Sequence, residues 1–218
     1  MKSLQLHDKD SLYIKTCNTL RKAIFSGELQ PGVKLTQDQL AKQLGISRMP
    51  IREALRQLEN EGLVKVEPYR GAFVKELSLE DIEENYVLRS EMESLAIRKS
   101  LPYKTREDVK RLEELVREMD QTKSSEEFVE LNKESHNLLL LRCPWSRLSK
   151  FIQTLWNGYP QHTPFFLQGQ MEKSNQEHKE ILLAIQAEDS EKAGRLIKEH
   201  ISRTGKSLMT FIKTKNSR

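Results

Sequence analysis

The segment between Leu35 and Val74 constrains the fold of this chain more than any other part of the sequence. Apolar residues at helical spacing predict two short helices, one over Thr36–Leu44 and one over Arg48–Glu61. Alternating residues at Leu63–Val66 and Ala72–Val74 predict two short strands joined by a loop. Two short helices followed by a small hairpin form a winged helix-turn-helix, whose second helix can enter a groove of DNA.

Residues suited to begin and end helices support these boundaries. Thr36 and Ser47 are of the type that caps helix N-termini, and Gly45 and Gly62 are suited to end the two helices. Pro50 falls in the first turn of the second helix, where a backbone N–H has no intrahelical partner to lose. A tight turn at Gly45 is therefore expected between the helices.

The second predicted helix carries arginine along one face. Arg48, Arg52 and Arg56 follow each other at intervals of four residues, so their side chains point the same way. The opposite face is apolar and consists of Ile51, Leu55 and Leu58. A guanidinium group can bind the guanine edge or a phosphate. An ordinary solvated basic face is the alternative, but the preceding helix and the following hairpin favour DNA contact.

The loop of the hairpin has a compact basic tip formed by Tyr69, Arg70 and Gly71. A glycine there lets the backbone approach a phosphate or the wall of the minor groove. We therefore expect the tip to contribute to the DNA-binding surface.

Charge is unevenly distributed along the 218 residues. Residues 1–75 hold 13 Lys/Arg against 8 Asp/Glu, whereas residues 76–218 hold 23 against 24. A basic first part and a near-neutral second part indicate that only the first binds a polyanion. We expect a DNA-binding domain over residues 1–75 and a second domain over residues 76–218.

The sequence also indicates a cytoplasmic protein. No apolar run reaches membrane-spanning length, and we expect no signal peptide. Cys17 and Cys143 are expected to be free thiols of a reducing compartment.

Residues 76–218 show only helical patterns. Helices are expected near 79–100, 105–121, 125–142, 145–157, 171–187 and 190–213. The fold class is therefore mainly α: a winged helix-turn-helix domain followed by an antiparallel all-helical bundle.

Three histidines on these helices are expected to meet. His178 and His200 lie eleven residues before and after the turn at Asp189, so in a helical hairpin both lie about 16 Å from that turn. His136 shares a helix face with Asn132, four residues before it. Inward imidazoles at one level suit a metal or anion site, and hydrogen-bonded core histidines are the alternative. The other two histidines, His7 and His162, are expected to be exposed.

The segment LGISRMPIREALRQLENEGLV, followed by RGAFV, resembles the N-terminal domain of the GntR family of bacterial transcription regulators. The resemblance runs from about residue 11 to residue 74. It implies DNA contacts from Ser47, Arg48, Met49, Pro50 and Arg52, with Gly71 in the wing and Thr36 on a phosphate. Met49 stands where the family usually has a small polar residue, which implies weak base recognition or apolar contact with a thymine methyl.

The segments YVLRSEMESLAIR, LNKESHNLL, EHKEILLAI and AEDSEKAGRLIKEHI resemble the all-helical effector domain of the FadR-type branch of that family. In that branch an Asp and three His hold a divalent ion, which binds a small carboxylate with the help of nearby polar groups. The resemblance places Asn132, His136, His178 and His200 in the ligand positions, with zinc or nickel as the first choices. Asn132 replaces the usual Asp, and Ser135 replaces an aromatic residue.

Arg89, in the first helix of this domain, has two interpretations. It points into the cavity and binds the carboxylate, or it forms a surface ion pair with Glu93, four residues on.

The leading hypothesis is a homodimeric transcription repressor that binds a palindromic operator in double-stranded DNA and responds to a small carboxylate. A metal-responsive regulator and, less favoured, a zinc-dependent hydrolase are the alternatives. The hydrolase lacks a nucleophile motif, and Glu134 and Glu177 are expected to point away from the histidines. We expect no enzymatic activity and no organic cofactor.

Overall fold

A computed structural model describes residues 9–76, 78–158 and 169–216. The chain divides into two compact units, Met1–Leu77 and Ser78–Arg218, two residues beyond the boundary expected from composition. His7 and His162 lie outside the described residues.

The first unit combines three helices with a small sheet. Its elements are α1 (Lys9–Phe25), β1 (Lys34–Leu35), α2 (Gln37–Leu44), α3 (Arg48–Asn60), β2 (Val64–Glu67) and β3 (Gly71–Val74). The strands lie in the order β1-β3-β2 and both pairings are antiparallel, with Lys34 opposite Phe73 and Val66 opposite Ala72. The winged helix-turn-helix fold predicted from the sequence is confirmed.

Strand β1 was not predicted. Its two residues are too few to show the alternation that indicates a strand. They become a strand because β3 pairs with them, a contact between segments almost forty residues apart.

A buried ion pair fixes α3 against α1. Glu61, which follows α3, has a fully buried side chain and accepts hydrogen bonds from Nε and Nη2 of Arg21. Gln57 also donates to it, at 2.9 Å. Because a buried carboxylate needs several donors, this contact orients α3 while its arginine-bearing face stays exposed.

The second unit is all helical within the described residues. It contains α4 (Leu79–Ser100), a 3-10 turn (Leu101–Tyr103), α5 (Arg106–Gln121), α6 (Ser125–Leu140), α7 (Ser146–Asn157), α8 (Gln170–Gln186) and α9 (Ser190–Asn216). The helix ends agree with the sequence prediction to within three residues. Capping boxes begin two of the helices, with Ser78 paired to Asp81 and Thr105 paired to Asp108.

Helix α4 lies at the centre of this unit and packs against α6, α7 and α9. It approaches α9 closely at Gly205, where an added Cβ would come within 2.6 Å of Cβ and Cγ of Tyr86. No helix among the described residues is long and apolar enough to cross a membrane.

We predict that Gly205→Ala lowers the free energy of unfolding by about 1–3 kcal/mol, because the Tyr86 atoms it meets lie next to the backbone and cannot move aside cheaply. Alanine is otherwise the better helix former by about 1 kcal/mol. Gly194→Ala is the control in the same helix, since its closest contacts are with the flexible Arg98 side chain and the backbone oxygen of Ser94 lies farther away, at 3.2 Å. Urea unfolding followed by circular dichroism measures both; a Gly205 variant as stable as wild type contradicts the close approach.

Candidate DNA-binding surface and histidine cavity

The structure places the three arginines of α3 on one exposed face. Arg48, Arg52 and Arg56 are all exposed, whereas the residues of the opposite face, Ile51, Leu55 and Leu58, are at most 3% exposed. The apolar face packs in the core of the first unit, so the basic face is directed to solvent.

The residues at the helix starts occupy the expected positions but do not make the expected bonds. Thr36 and Ser47 are the N-cap residues of α2 and α3, yet neither side chain accepts a capping hydrogen bond. The predicted N-cap positions are therefore confirmed, without the side-chain hydrogen bonds that usually accompany them. Met49, in the first turn of α3, is 52% exposed, and Pro50 beside it is half-buried.

Asp38 of α2 forms an ion pair with the Nε of Arg48, a contact that sequence reasoning missed. Both side chains are well exposed, so the pair contributes little to stability. It restricts where the arginine points. No local spacing signals the contact, because the two residues lie on different helices.

The wing tip has an unusual backbone. Tyr69 is fully exposed and has a φ of 62°, in the left-handed region that tyrosine rarely adopts. Arg70 lies over the ring of Phe73, with 5.6 Å from Cζ to the ring centroid. Gly71 has a φ of 105°, and a Cβ there would lie 3.2 Å from Cε of Lys34. Glycine is therefore required at this position.

In the second unit, α6, α8 and α9 bring three buried histidines together. The ring centroids of His178 and His200 lie 4.8 Å apart, and that of His136 lies 5.2 and 5.3 Å from them. One ring nitrogen from each lies within 4.8 Å of the others. The level placement of His178 and His200 follows from the hairpin turn, as the sequence indicated.

Glu93 orients the first imidazole. Nδ1 of His136 donates to its carboxylate at 3.0 Å, as do Nε of Arg89 at 3.0 Å and Nε1 of Trp156 at 2.7 Å. This leaves Nε2 of His136 for the cavity. Of the two interpretations of Arg89, the structure shows the pair with Glu93, but the pair is buried rather than at the surface, since the two side chains are 9% and 0% exposed.

Glu177 orients a second imidazole in the same way. Nδ1 of His200 donates to its carboxylate at 2.7 Å, and the guanidinium of Arg203 donates to both oxygens. The expectation that Glu177 points away from the histidines is wrong, because it turns toward α9 rather than along α8. Glu134 does lie apart, paired with Arg111 at 2.9 Å.

The third imidazole has neutral partners. Nε2 of His178 donates to Oδ1 of Asn132 at 2.9 Å, and Oγ of the buried Ser135 lies 3.5 Å from its Nδ1. Both positions at which the sequence departs from the FadR-type pattern therefore contact the same ring.

The electrostatics of the cluster follow from its burial. Burial, together with the neighbouring imidazoles, holds the pKa of His178 well below 6.5, and burial lowers the pKa of His200 to about 4. Burial alone would raise the pKa of Glu93, but its guanidinium, imidazole and indole partners lower it to about 2. At neutral pH His178 and His200 thus offer uncharged imidazole nitrogens beside ionised carboxylates.

A small cavity opens beside the cluster. It is lined by Tyr86, Arg89, Asn132, His136, Gln170, Ser174, His200, Ile201, Arg203 and Thr204. Two arginines from different helices therefore face the same space as the histidines. Of these two, sequence reasoning found only Arg89. Arg203 follows His200 by three residues, a helical spacing that could have indicated it.

Family models match both units of the chain. The model of bacterial regulatory proteins of the gntR family matches residues 12–74, and the FCD domain model matches residues 84–203, more than half of the chain. The chain belongs to the GntR family. The GntR match covers the winged helix-turn-helix, and the FCD match covers the helices that carry the three histidines.

Relatives of known name agree with this assignment. The uncharacterized HTH-type regulator YdhC of Bacillus subtilis is 34% identical over 144 residues, 64% of either chain, so this GntR protein spans just under two thirds of its length. The regulator McbR of Escherichia coli is 27% identical over 188 residues, 83% of this chain and 85% of McbR. The repressor RspR of Escherichia coli is 23% identical over 196 residues, 87% and 85%.

The solved structure of Escherichia coli McbR/YncC has the same fold, with a TM-score of 0.73, 24% identity and coverage of 93% and 98%. The family and its relatives are transcription regulators. This GntR protein is accordingly a DNA-binding transcription regulator and not an enzyme.

We predict that Arg52→Ala weakens binding to the preferred DNA site by about 1–3 kcal/mol and relaxes base preference, because an exposed arginine near the start of α3 is placed for bidentate base contact. The site is first selected from a random DNA pool, and affinity is then measured by fluorescence anisotropy. Arg117→Ala, which removes the same charge from an exposed position on α5, is the control. Equal loss on selected and random DNA would make Arg52 a phosphate contact only.

Proposed function

We propose that this protein is a homodimeric transcription repressor whose operator affinity is controlled by a small carboxylate bound, with a divalent ion, in the histidine cavity. The observation that carries the proposal is a cluster of three buried imidazoles, two of which, His136 and His200, line one cavity together with Arg89. A buried set of polar side chains lining a cavity is where a small ligand is expected to bind.

Two observations support the repressor and dimer parts. RspR, which resembles this chain over most of its length, is named a transcriptional repressor. On the adjacent helices α4 and α7, Val87 and Phe151 are 53% and 59% exposed, as expected of a face that a second copy covers. A two-fold dimer presents two copies of α3 to a palindromic operator, here in the cytoplasm.

The donor set fits a divalent ion such as zinc or nickel. The imidazole nitrogens lie within 4.8 Å of one another, so movements of about 1 Å bring them to the usual metal–nitrogen distance of about 2.1 Å. Oδ1 of Asn132 lies 2.9 Å from Nε2 of His178, so Asn132 would be close enough to hold the same ion. Glu93 and Glu177 hold the other two rings with Nε2 toward the cavity.

When bound, the ion supplies a positive charge with an open position for a carboxylate oxygen. The protein's own groups do the rest. Arg89 faces the same cavity and can pair with the second carboxylate oxygen, and Ser174 and Thr204 offer hydroxyl groups. The acid can change operator affinity only if it binds one arrangement of the dimer more tightly than another.

We predict that the acid releases the operator only when the ion is present, with a shift of about 5- to 150-fold in operator affinity. Anisotropy of labelled operator DNA is measured with and without zinc or nickel, each with and without a panel of small carboxylic acids. Release by the ion alone would assign the protein as a metal-responsive regulator instead. No shift under any condition would contradict control through the cavity.

We predict that dialysed wild-type protein retains about one ion per chain, that His178→Ala loses it, and that Asn132→Asp binds it more tightly, because a carboxylate is a stronger ligand than a neutral amide. Elemental analysis and thermal unfolding provide the readouts. Asn137→Asp is the matched control, since it adds the same charge at an exposed position of the same helix. If added zinc and nickel leave the melting temperature unchanged, the histidines are core residues or direct effector contacts.

A further inference from the structure

Two similar series of hydrogen-bonded side chains, each running from a histidine through a glutamate to an arginine, lie along the cavity. His136 is bonded to Glu93, which is bonded to Arg89. His200 is bonded to Glu177, which is bonded to Arg203. Among the described residues, both arginines and both histidines line the cavity, whereas the two carboxylates lie behind them. The two guanidinium groups that face a bound ligand are donors, even though each has a carboxylate partner, and the Nε2 atoms of the two imidazoles are placed to hold an ion.

A charge count defines what ligand this arrangement accepts. The two guanidinium charges are balanced by the two carboxylates, and Asn132 is a neutral amide. Because metal-bound imidazoles are uncharged, a divalent ion in this site carries a charge of +2 that no protein group balances. An Asp at position 132 would cancel one of these charges. A singly charged carboxylate would therefore leave one charge unpaired in a buried cavity, which is unfavourable.

Gln170 shows where the second negative group can bind. Its side-chain oxygen accepts a hydrogen bond from Nη1 of Arg203, and both residues line the cavity. An anionic oxygen is a stronger acceptor for a guanidinium than an amide oxygen. Arg203 can thus exchange this neutral partner for a charged one while its bonds to Glu177 remain in place.

The cavity also limits the size of the ligand. Its volume is about 40 Å³, room for roughly three water molecules at about 10–15 Å³ each. A compact anion needs only side-chain movements such as the release of Gln170 from Arg203, whereas a long acyl chain needs rearrangement of the helices, so we expect the ligand to be compact.

We propose that the effector is a compact oxyanion carrying two negative charges, either a short dicarboxylate or an inorganic divalent oxyanion, held between Arg89 and Arg203. This inference rests on the proposed function, because it assigns the ligand class of the same cavity. The shared chemistry is two charges spread over several oxygens within a small volume.

The test compares acids of equal carbon number on full-length, zinc-loaded protein from which free ion has been removed. Isothermal titration calorimetry is performed with malonate, propionate and sulfate at neutral pH. We expect malonate to bind at least about 10-fold more tightly than propionate, a difference of about 1.4 kcal/mol. If sulfate binds at least as tightly as malonate, the effector is an inorganic oxyanion. If sulfate binds more weakly than malonate, the effector is a dicarboxylate.

Three variants show whether the cavity charge causes this preference. Asn132→Asp, which is nearly isosteric, should bring the malonate-to-propionate ratio toward one, and Arg203→Gln should weaken malonate more than propionate. Lys206→Gln removes the same charge from an exposed neighbouring position outside the cavity and should leave the ratio unchanged. Melting temperatures confirm that each variant is folded.

The outcomes separate the two proposals. If wild-type protein binds propionate as tightly as malonate, or if Asn132→Asp leaves the ratio unchanged, the assignment of a divalent oxyanion is wrong while the carboxylate-responsive function stands. If none of the three anions binds, control by a small anion in this cavity is itself overturned.

Discussion

The second unit depends on one buried carboxylate. Glu93 is 0% exposed, and an ionised group without solvent is costly unless donors surround it. Those donors come from α4, α6 and α7, through Arg89, His136 and Trp156. The three helices can pack around Glu93 only in an arrangement that keeps all three bonds. The same arrangement directs Nε2 of His136 into the cavity, so fold stability and site geometry have a common cause.

A similar hydrogen bond between a carboxylate and an imidazole joins α8 and α9. Glu177 is only partly buried, but it orients His200 as Glu93 orients His136. A carboxylate at Nδ1 fixes the tautomer and makes Nε2 a better ligand. His178 lacks such a partner and is held by the neutral groups of Asn132 and Ser135. The cluster therefore contains two imidazoles that carboxylates hold in one orientation. The third, His178, has neutral partners and can exchange them at a lower cost in free energy.

The first unit also contains a buried carboxylate, that of Glu61, which is paired with Arg21. This pair and the apolar face of α3 hold the helix by its inner side, and the arginines remain free on the outer side. The left-handed backbone of Tyr69 at the wing tip is unfavourable by itself. Unfavourable backbone combined with a fully exposed aromatic ring is typical of a position kept for contact with a partner, which agrees with the predicted role of the wing in DNA binding.

The sequence by itself determined the local features of this protein. Helical periodicity and the residues at helix ends are local properties, and they predicted helices α2 to α9, as well as the level placement of His178 and His200. The arginine face of α3 and the family resemblance followed from the same kind of pattern.

Only the tertiary structure decided the contacts between elements. The two-residue strand β1, the pairing of Asp38 with Arg48 and the turn of Glu177 toward α9 depend on how helices and strands pack against each other. The burial of the Arg89 pair also depends on that packing, because the spacing of four residues is the same for a surface pair and a buried one. The physical reason is that the energy of a polar side chain is set by the groups packed around it, and these groups come from distant parts of the chain.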